Sequence, residues 1–222
     1  MTINEAYIKF LQKVNKNLNS NNIVADKGRF ILLYREAEIK RIVDLTGKKN
    51  DERHREIQWA LKPNISLSFN SKITDRVLYN LPTDYLELSS AYATASKGSC
   101  KDKQIFLREI KDANYNEYLP DNYNQASFEY REAPYMAADK KINIFTNDFE
   151  IQEVILTYYR YPRKVDIAGY LNANGVPSTN INPEGEERFI DKVLSLAAED
   201  FARNNYDADA VQINKDRIQT NT

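Results

Sequence analysis

The chain has 222 residues, enough for one large hydrophobic core or two smaller ones. Its 31 basic and 32 acidic residues give a formal net charge of −1, which argues against a dedicated nucleic-acid-binding protein, because such proteins usually carry a basic excess. The single cysteine, Cys100, excludes a disulfide within the chain. No stretch reaches the roughly 20 apolar residues of a membrane span, and the first ten residues suggest no signal peptide.

Residues 1–63 are predicted to be helical. From Ile3 to Leu18 apolar residues recur at intervals of three and four, which predicts a first helix. Asp26 is placed to cap a second helix that runs to about Thr46 and ends at Gly47. Apolar side chains lie almost all round this second helix, and such a helix usually has neighbours on every side. Those neighbours are either its own domain or another subunit.

A charged connector follows, from Lys48 to Arg55, and is expected to open a third, shorter helix that Pro63 ends. Acidic residues interrupt the basic ones in this connector. A solvated helix face is therefore favoured over a contact with a polyanion.

The pattern then changes from helical to alternating, and residues 64–166 are predicted to form an antiparallel β core. Leu81 to Tyr85 is predicted to be a turn, because Pro82 presets its backbone angle. The strongest strand signal runs from Ile151 to Tyr161, where Pro162 stops it; both of its faces are apolar enough to be covered, so it is predicted to lie inside the sheet. The other expected strands are 65–69, 76–81, 85–96, 104–110, 128–132, 134–138 and 141–146. Loops are expected at 97–103 and up to Gln125, with a short helix at 112–119.

Residues 167–182 are predicted to be an extended arm or loop, since the segment is longer than most connections in a compact domain. Asn182 is expected to cap a C-terminal helix with Pro183 at its first position. This helix should end at Asn204-Asn205, and a short last helix should complete the C-terminal region, 183–222. The predicted class is α+β: an antiparallel β-sheet core flanked by N-terminal and C-terminal helices, read as one structural unit.

Residues for catalysis are sparse. His54 is the only histidine and lies among charged residues, which severely limits histidine-based triads and metal clusters. Cys100 follows a Gly-Ser pair in a lysine-flanked loop without an evident histidine base, so an incidental thiol is favoured. Paired carboxylates, as in a glycosidase, remain a third possibility. The sequence predicts a protein that is not an enzyme and that needs no cofactor or metal.

Tyrosine is abundant, with 15 residues, several of them between Tyr115 and Tyr135 and between Tyr158 and Tyr170. An aromatic ring with one polar tip suits a sugar-binding surface and also suits a protein interface. Interface or core use is favoured, and a receptor- or carbohydrate-binding virion module is the alternative.

Three short blocks carry a family resemblance. They are the turn Leu81-Pro82-Thr83-Asp84-Tyr85-Leu86, the strand and its exit from Ile155 to Val165, and Asn182-Pro183-Glu184 leading into a helix with Phe189-Ile190 and Ala197-Ala198-Glu199. In their order and spacing the chain resembles head-to-tail connector proteins of tailed bacteriophages, in particular the neck or ring proteins of crAss-like phages.

The resemblance implies a non-enzymatic virion protein at the portal vertex, assembled in the host cytoplasm. Such proteins form a ring, typically twelve-fold, that extends the DNA channel and docks the tail. The implied partners are further copies of the chain, the portal protein or adjacent ring and tail proteins, and genomic DNA in transit, with no membrane. A closed ring needs two different contact faces on each subunit. The predicted interface residues are Tyr159, Arg160, Tyr161, Arg163, Lys164 and Tyr170.

Overall fold

The chain divides into two compact units. The computed structural model describes residues 1–18, 25–46, 55–74, 76–110, 125–171 and 174–220. Met1–Ala60 and Pro162–Thr222 form the first, which we call the helical unit, and Leu61–Tyr161 forms the second, the β unit. The elements confirm the predicted α+β class, with one sheet in the middle of the sequence and helices towards both ends.

Three α-helices are present in the described part of the helical unit: α1 (Ile3–Leu18), α2 (Lys27–Thr46) and α3 (Glu187–Thr220). The bounds of α1 and the end of α2 confirm the predictions made from helical periodicity. Aromatic rings join the three helices, because Phe10 lies 5.0 Å from Phe30 of α2 and 5.8 Å from Phe201 of α3, measured between ring centroids. These rings are buried and form the core of the unit.

Side chains cap both N-terminal helices. The Oδ2 atom of Asp26 accepts hydrogen bonds from the amides of Gly28 and Arg29, at 3.0 and 3.3 Å, which confirms the predicted cap of α2. At α1 the Thr2 amide donates to Glu5 and the Glu5 amide donates to the Thr2 hydroxyl. This reciprocal pair is a capping box, and the spacing Thr-x-x-Glu is its sequence signal.

The start of the predicted third helix lies in the connector 47–54, which is outside the described residues. Arg55 is helical, but the chain turns at Glu56-Ile57 and forms a 3₁₀ turn at Gln58–Ala60, so the predicted continuation of the helix to Leu61 is wrong. Pro63 does not end a helix but lies inside the first strand. That strand is at one end of the sheet and its register shifts between Lys62 and Ile65, which are the conditions under which a strand tolerates proline.

The C-terminal helix differs from its prediction at both ends. It begins at Glu187 instead of Pro183, because Gly185 has a φ of 91° and breaks any helix that starts earlier. Asn182 instead accepts a hydrogen bond from the amide of Ile3, at 3.0 Å, and so caps α1. The helix then continues through Asn204-Asn205 to Thr220 as one element. Asparagine costs a helix only a few tenths of a kcal/mol, roughly, and does not end it alone.

The β unit contains one eight-stranded sheet in the order β1-β8-β4-β5-β6-β7-β3-β2. Neighbouring strands are antiparallel except β5 and β6, which are parallel. Most of the connection between this parallel pair, residues 111–124, lies outside the described residues, and so does the predicted helix 112–119. The strands are β1 (Leu61–Ser66), β2 (Ser68–Ile73), β3 (Arg76–Asn80), β4 (Tyr85–Lys97), β5 (Cys100–Glu109), β6 (Glu132–Ala138), β7 (Lys141–Phe145) and β8 (Glu150–Arg160).

The prediction for the strand that ends before Pro162 is confirmed: β8 pairs with β1 on one side and with β4 on the other. Two other predictions are wrong. The segment 128–131 is a turn instead of a strand, because Arg131 has a φ of 58°. The loop predicted at 97–103 is a tight turn at Gly98-Ser99, and β5 already begins at Cys100.

The two ends of the sheet are joined by one residue. β1 pairs only with β8 and β2 only with β3, yet Leu67 alone separates them in sequence. The amide of Leu67 donates to the carbonyl of Val154 at 2.9 Å, and its side chain belongs to the apolar core of the β unit. The sheet therefore curls until its first and last strands become successive parts of one bent strand.

Candidate functional site

The predicted arm is a closed loop on the helical unit. Asp166 and Ile181 pair through two backbone hydrogen bonds of 3.2 and 2.9 Å. Within the loop, the Ser178 hydroxyl donates to the carbonyl of Tyr170 at 2.8 Å and accepts from its amide at 3.1 Å. The Tyr170 hydroxyl donates to the Asp166 carboxylate at 2.6 Å. The segment is thus a folded loop whose ends meet, rather than an extended arm.

Two cations of α2 hold this loop. Lys27 donates to the carbonyl of Ala168 at 2.7 Å, and Arg35 donates through Nη2 and Nε to the carbonyl of Val165 at 2.6 and 3.2 Å. Hydrogen bonds from charged donors are about twice as strong as neutral ones. The loop and the first turns of α2 therefore form one surface.

A groove of about 850 Å³ lies between α2 and the loop. Two exposed leucines line it: Leu32 of α2 is 61% exposed and Leu171 of the loop is 66% exposed. The other lining residues are Asp26, Gly28, Arg29, Ile31, Arg35, Lys164, Asp166, Tyr170 and Asn174. We call these lining residues together with Leu32 and Leu171 the loop groove.

The apolar circumference of α2 has two parts. One broad side is buried in the helical unit, including Phe30, Tyr34 and Ile42. The opposite side exposes Leu32 and Val43, the latter at 42%. Its own unit therefore covers most of the helix, and Leu32 and Val43 remain exposed on the other side.

The predicted interface residues differ in accessibility. Tyr159 is 5% exposed, so its role in this structure is packing, and Tyr161 is 46% exposed. Arg160 is half-buried, and its guanidinium donates to the carbonyl of Tyr161 at 3.2 Å. Of these six residues, Lys164 and Tyr170 line the loop groove.

Arg163 has a structural role of its own. Its amide donates to the Glu184 carboxylate at 2.8 Å, and its guanidinium donates to the carbonyl of Asn182 at 3.4 Å. A charge reversal at this position would therefore disturb the segment that precedes α3. Lys164 is exposed and is therefore a better position than Arg163 for a charge reversal that tests docking.

Asp84 has a role that the sequence did not reveal. Its carboxylate accepts a hydrogen bond from the hydroxyl of Tyr158 at 2.7 Å, and its carbonyl accepts from the amide of Tyr161 at 2.7 Å. Burial, reinforced by this bond, raises the pKa of Tyr158 to about 12. The turn that contains Asp84 is thereby fixed to the end of β8. The middle block of the resemblance is thus hydrogen-bonded to the first block through Asp84 and to the third through Arg163.

The carboxylate of Glu56 connects α2 to α3. It accepts a hydrogen bond from Arg41 of α2 at 3.1 Å and another from Lys192 of α3, and its side chain is 14% exposed. Arg188 approaches it to 3.9 Å. Burial works to raise the pKa of Glu56, but the hydrogen bonds and positive charges of Lys192 and Arg41 together outweigh burial, and the pKa is lowered.

Of the residues considered for catalysis, His54 lies outside the described residues, and Cys100 is an exposed free thiol at the start of β5. Burial and the nearby charge of Glu109 raise the pKa of Glu87, but both side chains are exposed on the sheet. Among the described residues, no group of three or more His, Cys, Asp and Glu side chains is placed to hold a metal ion.

The tyrosines separate into core and surface positions. Tyr135, Tyr158 and Tyr159 are buried, whereas Tyr130 is 87% exposed at the turn before β6. Tyr115, Tyr118 and Tyr123 lie outside the described residues. Within the described part of the chain, no helix is long and apolar enough to cross a membrane.

Comparison with known proteins gives no family for this arrangement. No protein-family model matches the chain, and a search of curated proteins finds no match.

Proposed function

We propose that the chain is a ring-forming head-to-tail connector, a non-enzymatic virion protein that joins the capsid to the tail and extends the DNA channel. The proposal comes from the resemblance of the three sequence blocks to neck proteins of tailed phages. The structural observation that supports it is the loop groove, where Leu32 and Leu171 are exposed. An apolar surface of this kind is typical of a face that another subunit covers.

The loop groove suits a lateral contact because it is preorganised. Lys27 and Arg35 fix the loop to α2, so the surface loses little conformational freedom when a partner binds. Cations and carboxylates line the groove together with the leucines, and protein interfaces usually combine apolar and polar groups in this way. The near-neutral net charge also suits a DNA conduit, because a strongly basic channel would retard moving DNA.

The first prediction concerns assembly. The wild-type protein is expected to form a large closed oligomer, either by itself or after mixing with the portal protein of the same virion. Light scattering measures its mass in both settings. Leu32→Glu combined with Leu171→Glu should prevent that oligomer, because the contact would then bury two unpaired carboxylates. Lys164→Glu should weaken it, with a smaller effect than the double change.

Ile8→Glu is the matched control, since Ile8 is 55% exposed on α1 of the same unit and outside the loop groove. It should assemble like the wild type. Circular dichroism should show all variants folded, because each altered side chain is at the surface. A wild-type monomer in both settings would refute the ring, and normal assembly of the double variant would refute the loop groove as its contact.

A further inference from the structure

The β unit presents an apolar row on the outside of its sheet. In the register of the strands, Tyr92 of β4 lies opposite Phe106 of β5 on one side and opposite Ile155 of β8 on the other. We call these three residues the apolar row. The strands are about 4.8 Å apart, so the row extends for about 10 Å across the sheet.

The row faces outward because its sequence neighbours face the core. Ala93, Ile105 and Val154 are paired in the next register position and are fully buried. Successive residues of a strand point to opposite faces. Phe106 is accordingly 59% exposed, which is a large apolar area to leave in water.

Polar side chains border the row on both sides. Thr94 is paired with Gln104 and Glu153 on one side. On the other side are Ser90, paired with Thr157, and Arg108, two residues along β5 from Phe106. These groups supply hydroxyl, amide, carboxylate and guanidinium functions beside an aromatic surface.

A third aromatic residue, Tyr130, lies in the turn that adjoins β5. The amide of Phe106 donates to the carbonyl of Arg131 at 2.8 Å, which brings the turn 128–131 alongside β5. Tyr130, in this turn, is 87% exposed, and its amide is held by the Ser127 hydroxyl at 3.2 Å. The backbone that carries this exposed ring is therefore ordered before any partner binds.

The charges of this face decide which ligand fits. Arg108 is paired with Glu132 at 2.9 Å, and the negative charge of Glu153 equals in number the positive charge of the exposed Arg131 in the adjoining turn, so the face has no cationic surplus for phosphate. A neutral sugar chain places C–H groups on aromatic rings and exchanges hydrogen bonds with polar groups on either side, and aromatic rings with nearby polar groups suit it.

We infer that the outer face of the β unit, formed by the apolar row with its polar borders and Tyr130, is a binding site for a neutral polysaccharide. This inference goes beyond the connector function and uses residues of the β unit only. Phe106 and Tyr130 supply the aromatic surface. Gln104, Ser90 and Thr94 supply hydrogen bonds to sugar hydroxyls.

The test uses the full chain and immobilised neutral polysaccharides: dextran, mannan, xylan and β-glucan, followed by an array of neutral glycans. The wild type should bind at least one of them with little dependence on salt, since no ion pair is involved. Phe106→Ala and Tyr130→Ala should each weaken that binding by about tenfold, the usual result of truncating an aromatic at the centre of a binding surface.

Phe69→Ala is the matched control, because Phe69 is 60% exposed on β2 of the same unit but is not part of the row. The inference would be overturned if the wild type bound no neutral glycan. It would also be overturned if Phe106→Ala left binding unchanged, or if Phe69→Ala reduced binding as much as Phe106→Ala does. Capture of a protein partner by this face would also overturn it. Phe106→Ala should leave ring assembly unchanged, so failure of the glycan site and failure of the connector proposal are distinguishable.

Discussion

Gly185→Ala is expected to lower the free energy of unfolding by about 2–4 kcal/mol, because two costs coincide at this position. Gly185 has a φ of 91°, a backbone conformation that residues with a side chain rarely adopt. A Cβ atom there would also lie 2.6 Å from Nε1 and 2.9 Å from Cε2 of Trp59. The indole has little freedom to retreat, since Nε1 donates to the carbonyl of Glu56 at 3.1 Å and the ring packs edge-on against Phe189 at 5.6 Å.

Urea denaturation measures this loss, and Gly175→Ala is the matched control. Gly175 has a φ of 71° with no atom within 4 Å of its added Cβ, so only the backbone cost applies, about 1–2 kcal/mol. Combining Gly185→Ala with Trp59→Phe should recover part of the difference, because the smaller ring vacates the contact. Equal losses for the two alanine variants would show that the indole moves aside freely.

Glu56→Gln is expected to cost about 1–3 kcal/mol at neutral pH. The amide keeps the shape of the side chain but leaves Arg41 and Lys192 without their shared carboxylate. Both partners are partly exposed, so the loss should fall below that of a fully buried ion pair. Glu186→Gln removes the same charge from an exposed position before α3 and should leave stability nearly unchanged.

The same variant predicts a change in the pH dependence of stability. The pKa of Glu56 is lower in the folded chain than in the unfolded chain, so the unfolded chain takes up the proton first as the pH falls. The stabilisation from Glu56 is therefore complete at neutral pH and is lost progressively below about pH 5. The stability of Glu56→Gln should fall less steeply in that range, and an acid profile identical to that of the wild type would contradict the assigned role.

Local patterns predicted the elements whose stability signals are local. The bounds of α1, the cap of α2 and the strand β8 follow from periodicity, from the carboxylate of Asp26 and from β-branched residues. Errors occurred where a distant residue decides the outcome. Asn182 caps α1 instead of the helix that follows it in the sequence. The need for glycine at position 185 depends in part on Trp59, whose indole occupies the space of an added Cβ.

The sheet shows the same division. No local signal distinguishes a parallel from an antiparallel pairing of β5 and β6, because the choice depends on where the intervening segment returns. Pro63 suggested a helix end, since its tolerance in a strand depends on the position of β1 at the end of the sheet.

At the candidate site, the sequence correctly placed an unusual helix and a long loop but did not show that Lys27 and Arg35 join them. Side-chain contacts across some 130 residues leave no periodic trace. The apolar row of Tyr92, Phe106 and Ile155 could not be predicted either, because it depends on strand register.

The division of the helical unit into two segments has a consequence for synthesis on the ribosome. α1 and α2 emerge first, but the ring of Phe10 packs against Phe201, which emerges near the end of the chain. About 140 residues separate α2 from α3, so the apolar faces of the first two helices wait on the order of ten seconds for their partner. The β unit can fold during this interval, since all its strands have been synthesised once β8 is complete, and β8 pairs with β1 at Tyr159 and Leu61. A nascent chain of this protein therefore has a folded sheet while the core of its helical unit is still incomplete. Until α3 has been synthesised, the apolar faces of α1 and α2 are available for aggregation and for chaperone binding.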